Sequence, residues 1–142
     1  MAAMRPGLAV QVPTTWERVG TGYSIDGVTI AISDLQALPD DPAAWLAAEF
    51  QARGTPTITA VESEAGYPAL IGEAELGDTT LMIVVYQLLE LGAVATVHGP
   101  HAAFEARRAE IRQVLMAARP RWGVPVTLSG LLAGAETTKG TR

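Results

Sequence analysis

No cysteine occurs in the 142 residues, which excludes disulfides, thiolate nucleophiles and zinc–thiolate sites. Basic residues are scarce: 10 Lys and Arg stand against 15 Asp and Glu, giving a net charge of −5 and a pI near 4.9. Nucleic acids and anionic membrane surfaces reward clustered positive charge, so neither is an expected partner. Long apolar runs are also missing. Stretches such as Thr79 to Leu89 fall short of the roughly 20 residues that span a bilayer. The opening "MAAMRPGLAV" holds no signal-length apolar core, and the expectation is a soluble, cytoplasmic protein without membrane insertion. There is no G-x-S-x-G, no phosphate-binding glycine loop and no H-E-x-x-H, so no catalytic residue, metal ligand or cofactor is assigned and an enzyme is not expected.

Charged residues make up only 18% of the chain, against about 25% in an average soluble domain. Mean hydropathy is +0.22. Alanine enrichment accounts for this without sticky patches; an apolar interface accounts for it too.

The length fits one domain, read as 1–135 with a polar tail at 136–142. A first strand is expected at Leu8 to Val12, followed by a loop, "PTTWERVGTGYSIDG", anchored by Trp16. In the second strand, Val28 to Ser33, bulky Val28, Ile30 and Ile32 alternate with small Thr29, Ala31 and Ser33. Asp41 caps a helix to Arg53, with Pro42 at its first position and Gly54 past its end. Strands follow at Thr57–Glu64, Ala69–Leu76, Thr79–Leu91 and Ala93–His98, then a helix from His101 to Ala118. Short breaks between strands make hairpins. The expected class is therefore α+β: a mainly antiparallel sheet of about six strands with two helices packed on one face.

Three polar features invite a functional reading. His98 and His101 lie three apart, but Gly99–Pro100 separates them and no third ligand is adjacent. Glu62, Glu64, Glu73 and Glu75 alternate along neighbouring strands, as a carboxylate cluster or as the solvated face of an edge hairpin. Arg107 falls in the apolar arc of the last helix, as a recognition residue or as an arginine reaching past a sheet edge.

The strand "TTLMIVVYQLLEL" is apolar on both faces, which calls for cover on both. With both helices on one side, the other is left to residues 123–134 or to another chain. Thr29, Ala31 and Ser33 would line that side with small side chains beside Ile83, Val85 and Gln87, whose amide both donates and accepts and so meets either a partner or the sheet itself. That side suits close approach by another chain. Ala31→Asp and Val85→Asp are accordingly expected to spare the fold, and the apolar surface is expected to drive homodimer formation.

"VPTTW", "VTIAISDLQALPDDPAAWL", "VVYQLLELGAVATVHGP" and "FEARRAEIRQVLMAARP", in this order, resemble the PsbP-like α/β/α superfamily over positions 8 to 120. Within it the chain is most similar to bacterial DcrB-related domains that include the Eag chaperones of type VI secretion effectors. The apolar stretch after Pro120 departs from their usual ending. The resemblance implies a cytoplasmic, dimeric, non-enzymatic chaperone that holds the hydrophobic transmembrane helices of a secreted effector on an apolar sheet face, with Thr29, Ala31, Ile83, Val85 and Gln87 as the partner-binding surface. Alternatives are a module for a lipid or other apolar small molecule, and a PsbP-like assembly factor for a larger complex.

Overall fold

The computed structural model describes residues 7–50, 55–88 and 90–121. Its strands are β1 (Gly7–Ala9), β2 (Glu17–Val19), β3 (Gly22–Ile25), β4 (Val28–Ile32) and β5 (Gln36–Ala37), then helix α1 (Pro42–Glu49). Strands β6 (Thr57–Glu62), β7 (Pro68–Leu76), β8 (Thr79–Leu88) and β9 (Leu91–Pro100) follow, then helix α2 (His101–Met116) and β10 (Arg119–Arg121). The class is α+β. The main sheet runs β2-β3-β4-β9-β8-β7-β6, antiparallel throughout, with β5 also on β9; β1 and β10 form a separate pair.

Eight strands rather than about six arise because the segment expected as a loop after Pro13 is a hairpin, and because β5 continues β4 along β9. Between β3 and β4 the turn residues Asp26 and Gly27 take φ of 51° and 87°. Two consecutive positive-φ residues match the right-handed twist of a tight hairpin, and Asp-Gly is a dipeptide that tolerates them. The first strand is shorter than expected and pairs with the chain after α2 instead of joining the main sheet. Gly92 is a buried member of β9 and not a hairpin break. A Cβ there would stand 2.2 Å from Leu38 Cδ2, so the missing side chain lets the loop after β5 lie on the sheet. Helix α1 ends at Glu49 with Phe50 as its C-cap, short of the expected end at Arg53; the apolar stretch 123–134 and the boundary at 135 lie outside the described residues.

The two helices begin differently, α1 on a local cap and α2 on a tertiary contact. The Asp41 carboxylate accepts the Ala44 N–H at 3.1 Å, and Pro42 opens α1 where no N–H is needed. At α2, the His101 N–H reaches the Asp78 carbonyl at 2.7 Å, tying the helix start to the β7–β8 turn.

The helices pack on opposite faces of the sheet, contrary to the expectation of one shared face. Leu46 and Phe50 of α1 join Ala74, Leu81, Ile83 and Val85 in one core. Phe104, Ile111, Val114 and Leu115 of α2 join Met82, Val84, Tyr86, Ala95, Val97 and Ile30 in another. Alternation along β8 explains this directly: odd-numbered residues from Leu81 to Val85 meet α1, and even-numbered ones from Met82 to Tyr86 meet α2. A strand apolar on both faces is thus covered on both by its own chain. Gly72, opposite Ile83, admits α1 closely; a Cβ there would lie 3.0 Å from Phe50. On the other face the Tyr86 hydroxyl donates to the Leu115 carbonyl at 3.0 Å, and burial pushes its phenol far above the usual range.

Polar contacts lock α2 to the first hairpin. Trp16 Nε1 donates to Glu110 Oε2 at 2.5 Å, and Arg107 spans Glu110 at 2.9 Å and Asp26 at 2.7 Å. Arg107 therefore pins the β3–β4 turn. The Trp16 donor, followed by Arg107, holds the Glu110 carboxyl below its ordinary value of 4.5. A depressed folded value means stability that is complete above pH 4.5 and is lost as pH falls through that folded value. The gap in melting temperature between wild type and Glu110→Gln should therefore shrink as the medium is acidified from neutrality to about pH 3. A constant gap across that range would show that the contact does not couple to folding.

Candidate functional site

α1 packs on β7 and β8, whereas α2 packs on β8 and β9. Each helix covers one part of its own face, and the remainders lie diagonally across the sheet. On the α1 face the remainder runs over β9, β4 and β3. Register through β9 places Ala31 opposite Thr96, itself opposite Ile83, and Thr29 opposite His98, itself opposite Leu81. Thr29, Ala31, Ile83, Val85 and Gln87 therefore share one face, as alternation implies.

They do not share one environment. Thr29, Ala31 and His98 are exposed and Thr96 is half-buried. Ile83 is 5% and Val85 1% exposed, both sealed beneath α1. Gln87 is half-buried opposite Gly92. The five residues thus split into an open strip (Thr29, Ala31) and a core (Ile83, Val85), and the expected bare apolar face does not exist. The physical reason is that α1 carries its apolar residues onto β7–β8 by way of Gly72.

Next along β9 from Thr96, where Leu38 and Trp45 approach Val94, lies a recess of about 280 Å³ with the buried Val85 at its base. Trp45 is only partly buried: it packs against the α1 core and also lines the recess. Val19, the most exposed large apolar residue among those described at 53%, extends the same face toward β2. Sequence reasoning missed Val94, Thr96 and the wall role of Trp45. Val94 and Thr96 alternate with buried Ala93, Ala95 and Val97, a period-two signal that was present in the chain.

The other polar candidates separate. Glu73 and Glu75 pair across β7–β8 with Met82 and Thr80 on the α2 face, whereas Glu62 pairs with Pro68 on the α1 face and Glu64 lies beyond β6. Arg108 Nη1 lies 2.5 Å from Glu73, so that carboxylate is half of an ion pair. His98 stands on the α1 face; the His101 ring meets Thr80 Oγ1 at 2.9 Å on the other. Among the described residues no three His, Asp or Glu side chains are grouped as a metal site, and no helix is long and apolar enough to cross a membrane. A second hollow of about 450 Å³ beside α2 is lined by Thr57, Thr59, Glu73, Glu75, Arg108 and Arg112.

No family model matches this chain. No curated protein matches it either.

Proposed function

We propose that the protein is a non-enzymatic chaperone or adaptor that holds an apolar helical segment of a partner protein on the open strip of the α1 face. One observation carries the reading: a row of small side chains, Thr29, Ala31 and Thr96, leads along β9 to an apolar recess walled by Trp45. Small residues let a helix backbone approach closely. The recess then takes a large apolar side chain from that helix, as interface anchors commonly fill pockets.

Size favours this occupant over a free lipid. Sites that enclose whole small molecules span roughly 300–1,000 Å³, and a recess of about 280 Å³ falls just under that range. It suits a side chain better than an entire lipid. The cargo implied by the sequence resemblance, a transmembrane helix of a type VI secretion effector met in the cytoplasm, has the required apolar face and need for shelter.

A helical peptide with a Leu/Ala face serves as the probe. Ala31→Asp should weaken its binding tenfold or more, because a helix seated there must desolvate the carboxylate, and 1.4 kcal/mol already corresponds to about tenfold. Titration calorimetry on both proteins reads this. Equal affinity for the wild type and a folded Ala31→Asp variant would exclude the strip as the docking surface.

A further inference from the structure

Among the described residues, strand β6 closes one end of the main sheet and has a hydrogen-bonded neighbour, β7, on one side only. Exposed strand edges are templates for pairing, and proteins ordinarily blunt them with charge, proline, bulges or brevity. The opposite end obeys that rule: β2 has three residues, and two of them are Glu17 and Arg18. β6 does not. It is six residues long, its register on β7 is unbroken from Thr57 to Glu62, and its only charge is the terminal Glu62. Thr57, Ile58, Thr59 and Val61 are β-branched, the residue type that favours an extended neighbour. Pro56 stands just outside the strand, so every residue from Thr57 to Glu62 retains its N–H.

We infer that the free edge of β6 pairs with β6 of a second copy of this chain, joining two main sheets into one. The sequence of the strand selects this occupant, because it is self-complementary. A two-fold axis perpendicular to the sheet pairs residues of the same face, so residue i meets a partner of the same parity. With the axis at Thr59, Thr59 faces its own copy, Ile58 faces Ala60, and Thr57 faces Val61; Glu62 falls opposite Pro56. Every pair from Thr57 to Val61 is β-branched or small, and no like charges meet. Centring on Ala60 instead would set Ile58 against Glu62 twice. The Thr59 register is therefore the better one.

Six residues a side is little beside the roughly 20–30 of a standard interface, so the dimer is weak and reversible. Each copy carries −5, so added salt strengthens it. This dimer uses an edge, not the α1 face, and is independent of the docking reading above.

Sedimentation equilibrium over a micromolar-to-millimolar series tests the inference, with Thr59→Lys and Thr59→Glu as variants. Thr59 is exposed, so both should fold. The wild type should associate with concentration. Each variant alone should associate roughly fivefold or more weakly, since like charges oppose at the axis. An equimolar mixture of the two should recover association, and salt should weaken that mixture while strengthening the wild type. A wild type that stays monomeric throughout would overturn the inference. So would single variants that associate as well as wild type, or a mixture no better than either alone.

Discussion

Val85→Asp is expected to unfold the protein, while Ala31→Asp leaves it folded, although both positions lie on one sheet face. Val85 is 1% exposed beneath Leu46 and Phe50, with Trp45 and Leu38 packed around that core. Removing the valine forfeits about 1.5–3 kcal/mol of burial. Burying a carboxylate there adds several kcal/mol more, because the side chains that make up that core are apolar. The total reaches the roughly 5–15 kcal/mol by which a domain of this size is stable. At Ala31 the carboxylate stays in water, and exposed substitutions ordinarily shift stability by about 0.5 kcal/mol or less. Urea unfolding of both variants reads the contrast. A well-folded Val85→Asp protein would mean that α1 does not seal that part of the sheet. This outcome reverses the sequence-based expectation that both substitutions are tolerated.

Phe50→Ala and Phe104→Ala are each expected to cost about 3–5 kcal/mol, as large aromatic truncations in cores do. Both side chains are 0% exposed, but they belong to separate cores on opposite sides of the sheet. That separation has its own signature. Substitutions with no shared partners add within about 0.3–0.5 kcal/mol, whereas contacting residues couple by more. The milder pair Phe50→Leu and Phe104→Leu keeps the double variant folded, so a double-mutant cycle in urea can be completed. Near-zero coupling is the expected result. Coupling well above 0.5 kcal/mol would place the two rings in one core.

Much of this architecture was legible because it rests on local rules. Asp41–Pro42 marks a helix start through its capping chemistry, and the alternation of β4 and β8 is a property of any pleated strand. The Asp26–Gly27 turn was equally local but was passed over, which turned a hairpin into a loop. The side of the sheet each helix chooses was not legible in the same way. It depends on how the chain crosses from β5 to β6, on Gly72 admitting α1 and on Gly92 admitting Leu38, all of them relations between distant residues. A strand apolar on both faces requires two covers, and both covers turn out to be in the chain. The site suffered from the same gap. Alternation correctly grouped Thr29, Ala31, Ile83, Val85 and Gln87 on one face, but only tertiary packing divides an open strip from a sealed core.

The docking claim is tested most directly by a photocrosslinking residue, benzoylphenylalanine, placed at position 31 in the full chain and activated in the native cell. Thr57, exposed on the α2 face, is the matched control. The account predicts that position 31 yields a discrete adduct whose attached peptide is an apolar helical segment, and that position 57 does not yield that adduct. A blank at position 31, or the same adduct from both positions, would contradict it.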